Sequence, residues 1–169
     1  VEFTPAGRDD VVRIARLASA LPDLNRLLAA RRMVVPALSL TQNPGGNRSY
    51  DALASLAILR AEGLPPEIEI LPHVTGKDMN ADALAALLRA LAEAGVQTIL
   101  ALTGDLPAGR GVYDFDSPNL LRLVRETNAA LLRTARSVGD IETRPQLSAG
   151  AAVSPFKYTP GSLAMSDVA

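Results

Sequence analysis

Short apolar runs alternate along the chain with longer segments in which apolar residues recur every three or four positions. The short runs predict five β-strands, at residues 1–4, 33–40, 68–72, 98–102 and 146–153. The longer segments predict helices at residues 11–20, 23–31, 50–62, 81–94 and 119–137. Strands that alternate with helices of this length predict right-handed βαβ connections and a parallel sheet. We therefore expect one α/β domain over residues 1–169, with strand order 1-2-3-4-5.

Several residues predict where these elements begin and end. Ser49 is expected to cap the third helical segment, and Asn80 the next one. Ser117 and Pro118 form a cap followed by a first-turn proline for the last helix. Pro36, inside the second apolar run, removes a backbone donor and predicts a bulge or an edge position there.

Composition narrows the class of protein. The hydrophobic fraction is 48% and the aromatic fraction 4%, an aliphatic bias that suits parallel strands covered by helices. Seventeen basic and eighteen acidic residues leave a net charge of −1, which gives no electrostatic footprint for nucleic acid or an anionic membrane. Neither a glycine-rich dinucleotide fingerprint nor a P-loop is found, which argues against a Rossmann or nucleotide triphosphatase domain.

The sequence indicates neither a metal site nor a membrane span. The chain has no cysteine and a single histidine, so we expect no disulfide and no metal site. No apolar run approaches the roughly 18–20 residues that a membrane span requires. The expectation is a soluble, cytoplasmic protein.

Polar side chains follow the predicted strands at their carboxyl ends, where parallel α/β proteins carry their sites. Glu2 lies on the first strand, Thr41 follows the second and His73 the third, and Asp105 comes soon after the fourth. We expect these four to lie on one face and to bind a polar ligand. Each also has a structural explanation: Glu2 as a solvated carboxylate, Thr41 as a cap of the loop backbone, His73 as a satisfied structural histidine, and Asp105 as a turn former.

At these strand ends the sequence resembles the methylenetetrahydrofolate reductase family. The matching segments are VEFTP at residues 1–5, LSLT at 38–41, PHVT at 72–75 and ALTGDLP at 101–107, of which the last is the most specific. A fifth segment, GAAVSPFKY at 150–158, is similar to a divergent, reductase-like branch of the family. The order and spacing agree, and the similarity covers most of the chain.

The resemblance implies a TIM-type (βα)₈ barrel with FAD across its mouth, of which about five βα units are present. It implies a flavoprotein oxidoreductase in which NAD(P)H reduces the flavin. The flavin would then reduce 5,10-methylenetetrahydrofolate to 5-methyltetrahydrofolate, a reaction of one-carbon metabolism and methionine biosynthesis.

The resemblance also implies roles for individual residues. Glu2 matches the general acid, which would help to protonate the folate nitrogen and needs partial desolvation to keep its proton. Asp105 matches the carboxylate near the flavin and the pterin, where a negative charge would stabilise a cationic substrate. Thr41, His73, Thr103 and Ser117 are the further expected cofactor contacts, although the family commonly has arginine at the position of Thr103.

Five parallel strands do not close a barrel, so an unpaired apolar edge is expected. We therefore expect a fragment, a truncated gene product, or a protein completed by a partner chain or a homo-oligomer. A folate- or flavin-binding half-barrel without hydride transfer, or a subunit completed by another chain, stays open as an alternative to the enzyme. FAD is expected to bind the complete protein and this chain only weakly.

Overall fold

The computed structural model describes residues 2–105, 112, 114–138 and 146–152. They contain a five-stranded sheet in the order β1-β2-β3-β4-β5, and every neighbouring pair is parallel. The strands are β1 Glu2–Phe3, β2 Ala37–Leu40, β3 Glu69–Thr75, β4 Thr98–Leu102 and β5 Ser148–Ala151. The predicted fold class, strand order and direction are therefore confirmed.

Helices alternate with these strands along the chain. They are α1 Arg8–Ala18, α2 Leu21–Ala29, α3 Ala52–Ala61, α4 Ala81–Glu93 and α5 Ser117–Val138, and a short 3₁₀ turn spans Pro44–Gly46. Because each strand pairs with the next one along the chain, right-handed connections bring the helices to the same side of the sheet. Within the described ranges, no helix is both long and apolar enough to cross a membrane.

Strand register separates the two faces of the sheet. Residues paired across parallel strands point to the same side, and alternate residues point to opposite sides. One face carries buried apolar side chains such as Leu38, Ile70 and Ile99, and it is covered by the helices. The other face, which we call the open face, is more exposed; it carries Glu2, Ser39, Leu71, His73, Leu100 and Gly150.

The core lies between the sheet and the helices. In α4, Leu84, Leu88 and Leu91 recur at helical spacing and are fully buried. Each helix adds apolar residues to the same cluster, and these pack on the covered face of the strands. Burial of a leucine of this kind stabilises a fold by about 1.5–3 kcal/mol. One-sided coverage leaves the open face available for a ligand or a further layer.

Two predicted strand boundaries are wrong by three or more residues. The second strand begins at Ala37, so Pro36 precedes it and forms neither a bulge nor an edge position within it. Pro36 needs no donor there, and its carbonyl accepts a hydrogen bond of 3.0 Å from the N–H of Glu69. The third strand runs on to Thr75, so His73 lies within the strand and not in a polar loop. Its lower half pairs with β2 and its upper half with β4, a stagger typical of barrels.

Helix caps differ from two of the three predictions. Asn80 caps α4 as predicted, because its side chain accepts from the N–H of Ala83. Asp51, and not Ser49, caps α3. At α5 the side chain of Asp116 accepts from the N–H of Asn119, so Ser117 is the first helical residue and not the cap. Val153 and most of the predicted segment 150–158 lie outside the described residues.

Candidate active site at the carboxyl ends of the strands

His73 occupies the centre of the site, on the open face of the long third strand. Its Nε2 lies 2.8 Å from Oγ of Ser39 on β2. Only 8% of the residue is exposed. Burial lowers the pKa of His73 below its usual 6.5 because it disfavours the charged form, and the nearby carboxylate of Glu2 opposes this in part. The ring is therefore mainly neutral, and its Nε2 is hydrogen-bonded to Ser39.

Glu2 lies on the same side of the sheet, since it pairs with Ser39 in the register of β1 and β2. Its side chain is exposed. The desolvation expected for a proton donor is therefore not provided by the described part of the chain. A ligand or a further layer above the open face would have to supply it.

Thr41 directly follows β2 and is buried. Its N–H donates to the carbonyl of Phe3 at 3.1 Å, and its hydroxyl lies 2.7 Å from the hydroxyl of Thr4. The side chain thus ties the end of β2 to the end of β1. Next to it, Gln42 accepts a hydrogen bond of 2.7 Å from the N–H of Thr75, which joins the ends of β2 and β3.

Asp105 lies three residues beyond β4, at the same edge of the sheet, and is exposed. Its Oδ2 accepts a hydrogen bond of 2.7 Å from the N–H of Gly45 in the loop after β2. Gly104 before it has a φ of +104°, in the region that favours glycine, and a Cβ there would lie 2.7 Å from Cβ of Lys77. The carboxylate is therefore held by the loop after β2, through Gly45.

Thr103 and Ser117 contact each other. The N–H of Ser117 donates to Oγ1 of Thr103 at 3.1 Å, and the two hydroxyl oxygens are 3.2 Å apart. This pair fixes the start of α5 to the end of β4. A hydroxyl shared in this way is less available to a ligand than the cationic side chain that the family commonly has at the position of Thr103.

Sequence reasoning missed two features of this edge. Ser39, the partner of His73, lies two residues before Thr41, and the period-two alternation of a strand could have placed both on one face. Lys77, buried at the end of β3, forms an ion pair with Asp78, whose Oδ1 also accepts from the N–H of Val112 at 3.0 Å. No sequence pattern predicts the contact between Asp78 and Val112, which joins distant loops.

An all-parallel sheet in sequential strand order, with polar groups gathered at its carboxyl edge, is typical of proteins of the βα-barrel class. The family model for methylenetetrahydrofolate reductase matches residues 21–140, well over half of the chain. The chain belongs to the methylenetetrahydrofolate reductase family. The family fold is a TIM barrel, of which the described strands form a part, and membership indicates an oxidoreductase-type enzyme of folate-related one-carbon metabolism. Thr41, His73, Thr103, Asp105 and Ser117 lie inside the matched range, and Glu2 lies before it.

Proposed function

We propose that the protein is a flavin-dependent oxidoreductase that reduces 5,10-methylenetetrahydrofolate to 5-methyltetrahydrofolate, with NAD(P)H as the reductant. The observation that carries the proposal is the arrangement of His73 and Asp105, within the family-matched range, at the same carboxyl edge as Glu2. Barrel enzymes place their reacting groups at this edge, on the ends of different strands.

The chemistry of the open face fits FAD. Leu71, Leu100 and Leu102 are half-buried there and offer an apolar floor for a flat ring. His73 and the strand-end loops above this floor offer hydrogen-bonding groups of the kind that fix a ligand's orientation. Thr41 would act on the cofactor mainly by holding the ends of β1 and β2 together, since its hydroxyl already contacts Thr4.

The proposed mechanism gives each carboxylate a separate task. FAD, when bound, supplies the hydride that it has received from NAD(P)H. Glu2 would donate a proton to the folate nitrogen whose bond to the methylene carbon opens, and its exposed position leaves it accessible to a substrate. Asp105 would stabilise the positive charge that develops on the substrate, from a position fixed by Gly45.

A second candidate is a binding protein that keeps folate or flavin affinity without hydride transfer. The contact between Thr103 and Ser117 favours it, because the hydroxyl that replaces the common arginine is turned to the neighbouring helix. The exposure of Glu2 favours it as well, unless a second copy or a partner chain covers the open face.

The decisive experiment compares the two half-reactions in the purified protein supplied with FAD. We expect flavin reduction by NADH or NADPH, followed by reoxidation with 5,10-methylenetetrahydrofolate, both followed by stopped-flow absorbance. Glu2→Gln keeps the size and hydrogen bonding of the side chain but removes the transferable proton. It should slow the folate half-reaction by about 10²–10⁴-fold and leave flavin reduction nearly unchanged.

Two outcomes would count against the proposal. Flavin that binds but is never reoxidised by the folate would favour the binding protein. Equal slowing of both half-reactions in Glu2→Gln, or of neither, would remove Glu2 from the role of proton donor.

A further inference from the structure

Three side chains form a diagonal row across the first three strands on the open face. Glu2 pairs with Ser39 between β1 and β2, and Ser39 pairs with Leu71 between β2 and β3. His73, two residues after Leu71, therefore points to the same side, and its Nε2 reaches Oγ of Ser39 at 2.8 Å. The serine lies between a carboxylate and an imidazole.

We infer that Ser39 is a positioning residue that holds the ring of His73 in its Nε2–H tautomer and leaves Nδ1 as a hydrogen-bond acceptor for the ligand. The first half of this inference concerns the free protein. The second half rests on the proposed function, because it assigns the remaining nitrogen to the flavin or folate that the site would bind.

The tautomer follows from the direction of the serine hydroxyl. A hydroxyl donates one hydrogen bond and accepts others, so its orientation depends on its neighbours. Glu2 pairs with Ser39 in the register of β1 and β2, and its negative charge also acts on the ring of His73. Glu2 makes no hydrogen bond to Ser39, so it attracts the hydroxyl hydrogen through its charge alone. A lone pair of Oγ then faces Nε2, which must carry a hydrogen to make the observed contact.

The charges around the ring support this assignment. Glu2 is the nearest carboxylate on the open face, since Glu69 lies four residues before His73, about 13 Å along β3. Strands β2 and β4 present no ionisable side chain on this face within their described ranges. The serine therefore has one acidic neighbour to orient it.

This inference can be tested directly because His73 is the only histidine in the chain. In the ¹⁵N-labelled protein without ligand, near neutral pH, a long-range ¹H–¹⁵N correlation spectrum gives a single imidazole pattern. We expect Nε2 at the shift of a protonated nitrogen and Nδ1 at that of an unprotonated one. Ser39→Ala should lower the ratio of Nε2–H to Nδ1–H by about 2- to 10-fold, the range of one net hydrogen bond.

Matched variants separate positioning from packing. Ser39→Thr restores the hydroxyl and should restore the pattern. Thr98→Ala, which removes a hydroxyl from the open face of β4, should leave the pattern unchanged. Glu2→Gln should shift the ratio towards Nδ1–H, because it weakens the pull on the serine hydrogen.

The inference fails if the unsubstituted protein shows the Nδ1–H tautomer, or if Ser39→Ala leaves the ratio unchanged. Should Ser39→Ala not fold, an unchanged ratio in Glu2→Gln overturns the inference equally well. The spectra need neither flavin nor turnover, so an inactive protein with the expected tautomer would refute the proposed function and leave the role of Ser39 intact.

Discussion

The backbone N–H of Gly45 donates a hydrogen bond of 2.7 Å to Oδ2 of Asp105. This contact joins the loop after β2 to the loop after β4, across the end of β3. Gly45 has a φ of +60°, a conformation that glycine adopts more readily than other residues. The position of the carboxylate therefore depends on a loop sixty residues away in the sequence.

Asp105→Asn should separate the charge of this residue from its contact with Gly45. An asparagine oxygen can still accept the hydrogen bond, but the negative charge is lost. In the flavin-loaded protein we expect a weaker affinity for the folate and a more positive flavin potential, because a charge near both is removed. Fluorescence titration and a spectroelectrochemical titration measure the two effects.

Asp105→Ala is the matched comparison, since it removes the acceptor as well. It should loosen the loop after β2, seen as faster amide exchange at Gly45, whereas Asp105→Asn should not. Equal exchange in both variants would mean that this hydrogen bond does not hold the loop.

Gly76→Ala should destabilise the upper end of β3. A Cβ at this position would lie 2.1 Å from the carbonyl oxygen of Phe115, so the segment before α5 would have to move. We expect a loss of about 1–3 kcal/mol in the free energy of unfolding, measured in urea. Gly150→Ala, whose Cβ would meet only Cδ1 of Leu100 at an ordinary contact distance of 3.8 Å, is the control. A loss of the same size in the control would show that the crowding at Gly76 is not the cause.

Much of the fold could be predicted because it depends on local periodicity. The fourth strand was predicted with its observed bounds, Thr98–Leu102, since an uncharged run flanked by Gly95 and Gly104 has one simple interpretation. The second strand was predicted too long, because Met33 and Val34 are apolar but exposed. The third was predicted too short, because His73 and Thr75 are polar by type and yet buried by neighbouring strands.

The candidate site was predictable only in part. Residues at the ends of parallel strands converge by topology alone. Glu2, His73 and Asp105 could therefore be predicted to lie at one edge of the sheet. Their partners depend on contacts between distant segments: Ser39 with His73, Gly45 with Asp105, and Thr103 with Ser117. Such pairs follow from register and loop conformation, which a single sequence does not specify.

The N-cap of α3, which was predicted as Ser49 and is Asp51, can be tested simply. Oδ1 of Asp51 accepts from the N–H of Ala54 at 2.9 Å, while the Ser49 hydroxyl accepts from the N–H of Asn43 at 3.0 Å. Asp51→Ala should therefore lower the free energy of unfolding by about 1 kcal/mol, and Asp51→Asn should recover most of it. Chemical denaturation followed by circular dichroism measures both. If Ser49→Ala removed the hydrogen bond that caps α3, the assignment of the cap to Asp51 would be wrong.

His73 should make the protein less stable as the pH falls. Burial lowers the pKa of His73 in the folded state below the usual 6.5, while Glu2 raises it by a smaller amount. The unfolded chain then binds more protons than the folded one as the pH falls through 6.5 towards the folded-state pKa of His73. The contribution of His73 to the free energy of unfolding is therefore fully present above pH 6.5. It is lost between pH 6.5 and the folded-state pKa of His73, at a rate of at most about 1.4 kcal/mol per pH unit.

Urea unfolding near pH 7.5 and near pH 5.5 in His73→Gln isolates this contribution, because the variant keeps a polar side chain of similar reach without a titrating group. The unsubstituted protein should lose more stability between these two conditions than the variant does. Glu2→Gln should increase the loss on acidification, since the carboxylate that raises the pKa of His73 is gone and the protonated ring has no compensating charge. A protein that gains stability through His73 on acidification would instead require a folded-state pKa above 6.5, and with it an imidazolium paired to Glu2 in place of the buried neutral ring.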